Sequence, residues 1–189
     1  MDHMPLRKNL DNHFKAIDLC LGHGLRMPAL ILVYSAIDFL AWLARPEAKQ
    51  DVDRKQFTAW ADRYVIALGF SQCSSSDLYS ARCAHVHGNN FESSMTRKGE
   101  ARAIMYAWGV ADPAALLSAM DRIAKPKVRV VHVETLVDAV KRGAEAFVRD
   151  AHADPVRWAL ILSRSDKLFD ENPELDGRVK ALFTANRGN

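Results

Sequence analysis

Few of the features that would place this chain in a specialised class are present. Its three cysteines, Cys20, Cys73 and Cys83, are an odd number without CxxC spacing. That argues against a disulfide framework and for free thiols in a reducing compartment. A strong charge of either sign is also missing. Lysine and arginine total 26 against 23 aspartate and glutamate, a formal net charge of +3. This is too mild for a basic nucleic-acid coat, so any nucleic-acid contact must come from a local patch. The longest apolar run, "MPALILVYSAIDFLAWLA", contains Asp38 and its apolar part falls short of a membrane span. The opening "MDHMPLRKNL" lacks the apolar core of a signal peptide. The expected setting is the cytoplasm, with no membrane partner. Internal repeats and clean linkers are lacking too. The GxG of "LGHGLR" has no strand before it, so a phosphate loop is not expected.

What is there reads mostly as helix. Leu6, Leu10, Phe14, Ile17 and Leu21 recur at spacings of three and four, and Gly22 and Gly24 end that stripe. Pro28 suits the first turn of a second helix, over about 28–44, apolar on nearly every side and therefore central in the core. A third helix is expected over 54–68, with Phe57, Trp60, Tyr64 and Leu68 on one face and Gly69 closing it. Ser74 is a good N-cap with Asp77 three residues on, so a short fourth helix should run over 75–87, with Gly88 as its C-terminal cap.

The stretch "GNNFESSMTRKGEA" reads as a long mobile loop. "RAIMYAWG" and "KVRVVHV" read as short strands, with a helix from Asp112-Pro113 to about 124 between them. "ETLVDAVKRGAEAFVRDA" has a helical apolar face, and Asp154-Pro155 starts a last helix to about 168. The expectation is one mostly α domain over 1–170, with at most a small two-stranded β element in the C-terminal half. Residues 171–189 form a polar tail.

The stretch "SSSDLYSARCAHVHGNN" concentrates chemistry at the end of the fourth helix. On an ideal helix, positions 82 and 87 stand roughly 140° apart. Arg82 and His87 can meet in one cleft only if the backbone leaves helical geometry near Gly88. Such a pair suits phosphodiester cleavage. Attack by a ribose 2′-hydroxyl needs a base of near-neutral pKa, which histidine supplies. A guanidinium can hold two oxygens of the phosphorane that develops. The nucleophile belongs to the substrate, so no metal or cofactor is called for. One arginine and one histidine are few for both acid and base roles, and two copies related by dimer symmetry would complete the site.

Other readings of the same residues remain open. Asp38, inside an apolar helix, needs a partner, and an Asp38–Arg82 bridge between the second and fourth helices would supply it. His85 is a packing or supporting residue, and Tyr79 a core residue whose hydroxyl reaches a polar neighbour. Cys83, His85 and His87 can each ligate zinc, but they come from one short helix end without a second ligand cluster nearby in sequence. Arg97, Lys98 and Arg102 follow the motif and can hold an RNA backbone near it. A second basic group is Arg122, Lys125, Lys127 and Arg129.

The phrase "RCAHVH", Arg82, four residues, then His87 near a helix end, resembles the signature of the HEPN superfamily. "DLYSARCAHVHG" and "LVYSAIDFLAWLA" are similar to a group of bacterial HEPN-like proteins of unassigned function, over residues 5–90. The resemblance implies an antiparallel helical bundle that forms a homodimer. For catalytic members it implies metal-independent RNA cleavage at the dimer cleft, often in toxin–antitoxin or defence systems. Arg82 and His87 would be the catalytic pair, with Asp38, Tyr79, Cys83 and His85 around it. Active members frequently carry Asn, Asp or His directly after the arginine, where this chain has Cys83. Many members bind without cleaving, so the alternative is a non-catalytic helical module for RNA, a nucleotide or a protein partner such as an antitoxin.

Overall fold

The computed structural model describes residues 4–88, 90–123 and 128–166. The elements in chain order are α1 (Met4–Gly22), α2 (Arg26–Ala44), α3 (Arg54–Ala61) running into a π-helical turn (Asp62–Ile66), α4 (Ser75–Gly88), α5 (Ser94–Arg97), β1 (Ala103–Ala107), α6 (Pro113–Ile123), β2 (Val128–His132), α7 (Val133–His152) and α8 (Pro155–Ser165). The fold is mostly helical with one small sheet, as the sequence indicates. The tail 171–189 lies outside the described residues.

α2 is the centre of the molecule. It packs against α1, α3, α4, α7 and α8. Leu30, Val33, Tyr34, Ile37, Leu40 and Leu43 are among its buried side chains. By length and composition α2 does reach what a bilayer crossing requires, contrary to the sequence expectation. Its apolar residues are instead used by the neighbouring helices. One cluster of buried apolar side chains draws on α1 to α4, both strands, α7 and α8. Buried area of this kind is the main favourable term in folding.

The third helix departs from its expected course. Regular α-helix ends at Ala61, and the π-helical turn carries Tyr64 and Val65 into the core. The wider turn rotates the residues after it about the helix axis, so Leu68 ends 45% exposed rather than on the core face. α7 packs on this turn at Gly143, where an added Cβ would collide with the Tyr64 carbonyl. Glycine is therefore what lets the two backbones approach there.

Ser74 and Asp77 cap α4 reciprocally. The Ser74 N–H donates to Asp77 Oδ2 at 3.0 Å, and the Asp77 N–H donates to Ser74 Oγ at 3.2 Å. The expected long loop after α4 contains a helical turn instead. Ser93 caps α5 by accepting from the Met95 and Thr96 N–H groups. Met95 is buried, and Ser93 shares a 2.7 Å hydroxyl bond with Ser80 of α4.

β1 and β2 pair in parallel, with Ala103 opposite Val128 and Ala107 opposite His132. Parallel neighbours need a crossover, and α6 supplies it, its first turn held by Asp112 accepting from the Ala114 N–H at 2.9 Å. Asp154 caps α8 in the same way, through the N–H groups of Val156 and Arg157.

Candidate functional site

The Asp38–Arg82 bridge is present. Arg82 Nε donates to Asp38 Oδ2 at 2.7 Å, joining α4 to α2. The two side chains are 23% and 21% exposed for Asp38 and Arg82, so the pair lies at the surface of the α2–α4 seam rather than deep in the core. Burial works against the guanidinium charge, and the Asp38 carboxylate outweighs it by hydrogen bond and charge, so the pKa of Arg82 is raised. The cation is therefore permanent and its orientation is set by a carboxylate one helix away.

Tyr79 and Cys83 flank Arg82 on α4, both half-buried. The Tyr79 ring meets Phe57 edge-on, with centroids 5.3 Å apart. Burial, and next the neighbouring Cys83, push its hydroxyl above the usual tyrosine range. It stays protonated at neutral pH and can donate a hydrogen bond, but it is no base. Asp38, Tyr79, Arg82 and Cys83 thus belong to one neighbourhood, and Val86 adds an exposed apolar residue one turn on from Arg82.

His85 faces a different environment. It is buried, stacked on Tyr34 at a centroid distance of 6.1 Å and tilted against Tyr106 at 5.4 Å. The two tyrosine hydroxyls share a 2.5 Å hydrogen bond. Burial lowers the pKa of His85, so the imidazole is neutral where it packs. Its role is packing between α2, α4 and β1.

α4 runs through Gly88 rather than stopping at His87. Positions 82 and 87 consequently keep the separation of a regular helix, roughly 140° around the axis. The helix break that would let the pair converge within one chain is not found at that point. The side chain of His87 lies outside the described residues.

Arg97 and Lys98 are exposed, on and just after α5. Arg102 is committed elsewhere. Its Nε and Nη2 donate to Asp77 Oδ2 at 3.1 and 2.5 Å, and its backbone N–H donates to Oδ1 at 2.8 Å. Arg102 therefore braces the start of α4, whereas Arg97 and Lys98 stand on the exposed surface after it. In the second basic group, Arg122 is exposed, Arg129 is half-buried on β2, and Lys125 and Lys127 lie outside the described residues.

Comparison with protein-family models, with curated proteins and with solved structures finds no match. The geometry therefore stands by itself. Among the described residues no group of three histidine, cysteine, aspartate or glutamate side chains is placed to hold a metal ion. Sequence reading missed two features. The Asp77–Arg102 pair was hidden because Asp77 reads only as a first-turn acid. The Tyr34–His85–Tyr106 cluster joins three elements whose proximity no local pattern records.

Proposed function

We propose that this chain is a cytoplasmic HEPN-like antiparallel bundle that engages RNA phosphates through Arg82 at the α2–α4 face. In this reading it works as a homodimer and cleaves RNA without a metal. The observation that carries the proposal is the Asp38–Arg82 pair, a permanent cation oriented by a carboxylate yet about a fifth exposed. A fixed guanidinium of this kind suits a phosphodiester oxygen and gains strength when the phosphorane charge develops. Arg97 and Lys98, exposed after the same helix, extend the positive surface. Because positions 82 and 87 are separated around α4, His87 would act on a phosphate held by the other copy.

A second reading has its own support. Cys83 stands where active members often carry a polar residue, and Arg82 already neutralises Asp38. In that case the same face is a non-catalytic surface for RNA or for a protein partner such as an antitoxin.

One assay decides between them. The purified chain is incubated with single-stranded RNA and with DNA of the same sequence, in EDTA. The nuclease reading expects RNA cut to 2′,3′-cyclic phosphate ends and DNA spared, since DNA lacks the internal nucleophile. His87→Ala should slow cleavage by on the order of 10²–10⁴-fold while the protein stays folded. Intact RNA, or cleavage by His87→Ala at the parent rate, removes the nuclease reading and leaves the binding surface.

A further inference from the structure

A cavity of about 730 Å³ lies between the segment after the π-helical turn, β2 and the start of α6. Ser74, at the N-terminal end of α4, lines it, whereas His87 is at the other end of that helix, about 20 Å away by helical rise. Ile66, Phe70, Leu117 and Val130 supply its apolar lining. Its charged lining is Arg102, Arg129 and Asp112.

One of the two arginines has no carboxylate against it among the described residues. Arg102 is neutralised by Asp77. Asp112 is exposed and its carboxylate holds the first turn of α6. Arg129 is half-buried and its side chain makes no hydrogen bond or ion pair with any described residue. A guanidinium with no described carboxylate against it keeps its donors available to an anion from solution. The cleft is open to solvent, and its apolar wall with a few polar groups gives a small molecule one face to rest on. Covalent chemistry is not indicated. Burial, and next Asp77, push the Cys73 thiol of this cavity well above its ordinary range, against the opposing pull of Arg102 and Arg129, so it is no nucleophile.

We propose that this cavity binds a small phosphomonoester carrying a planar apolar group, a mononucleotide in chemical class. Arg129 is its principal phosphate contact, Arg102 is the neighbouring cation held in place by Asp77, and the Ile66–Phe70–Leu117–Val130 wall receives the ring. The inference does not rest on the RNA reading of Arg82.

The test uses the full chain, with AMP, UMP, adenosine and inorganic phosphate as probes in calorimetry and thermal melting. AMP or UMP should bind saturably and raise the melting temperature. Adenosine and phosphate should each bind more weakly than the nucleotide that joins them. Arg129→Ala and Arg129→Gln should weaken nucleotide binding by on the order of 10- to 100-fold with an unchanged circular dichroism spectrum. Leu117→Trp, which fills the cavity from the largely exposed α6 and leaves Arg129 intact, should abolish it. Lack of binding by both nucleotides at millimolar concentration overturns the proposal, as does Arg129→Gln binding equal to the parent. Arg129-dependent binding of an RNA oligonucleotide but of neither mononucleotide would overturn the small-molecule assignment as well.

Discussion

Asp77 and Arg102, 25 residues apart in the chain, form the most enclosed ion pair among the described residues, with the carboxylate 2% exposed and Arg102 Nη2 2.5 Å from Oδ2. Burial alone would raise the pKa of Asp77. The Arg102 side chain and backbone N–H, with Ser74, outweigh it and hold the carboxyl below its ordinary value. The pair ties the first turn of α4 to the residue before β1. Asp77→Ala strands a partly buried guanidinium and removes half of the α4 capping box. It should cost about 3–5 kcal/mol, measured by urea denaturation. Because the folded pKa is the lower one, the unfolded chain binds more protons in acid. The stability from this pair is full above the ordinary carboxylate pKa and is lost as pH falls through the folded value. A parent and an Asp77→Asn variant with the same acid-side slope would refute this.

The Asp38–Arg82 bridge should be worth less. Both side chains are about a fifth exposed, so water screens the pair and solvates whichever partner is left. Asp38→Ala is expected to lower stability by about 1–3 kcal/mol, below the cost of breaking a fully buried pair. The variant should remain folded, which makes it usable in the RNA assay. Its melting midpoint, compared with that of Arg82→Ala and the double variant, gives the coupling between the two. A coupling near zero would show that the bridge contributes nothing.

His85 gives a second pH dependence, distinct from that of Asp77. Its imidazole is buried between Tyr34 and Tyr106, and burial lowers its pKa from the ordinary 6.5. The unfolded chain therefore takes up this proton first as pH falls. Stability is fully present above about pH 6.5 and declines below it, toward the lowered folded pKa. His85→Phe keeps an aromatic ring in the cluster and removes the titration. Chemical denaturation at pH 7.0, 6.0 and 5.0 should show a flatter profile for His85→Phe than for the parent. Equal slopes would mean that His85 takes up its proton equally in both states.

Sequence alone determined what depends on near neighbours. The i, i+3, i+4 stripes marked α1 and α7, because a helix brings those positions onto one face, and an apolar run after Pro28 marked α2. Ser74, Asp112 and Asp154 marked helix starts, because capping is a hydrogen bond between residues two or three apart. Both strands were readable from their β-branched and aromatic runs. Even the Asp38–Arg82 bridge was within reach, since a carboxylate in an apolar helix must find a cation.

Tertiary structure decided the rest. The π-helical turn at Asp62–Ile66, which exposes Leu68, goes with the approach of Gly143 from a helix some 80 positions away in sequence. The parallel pairing of β1 and β2 follows from α6 crossing between them, and strand composition says nothing of direction. Arg102 and Arg129 look alike in sequence, as basic residues beside short strands. Only the folded chain places a buried carboxylate against Arg102 and none of the described carboxylates against Arg129. Charge pairing is a long-range contact at short distance, and a linear pattern carries no record of which distant residues the core brings within about 3 Å.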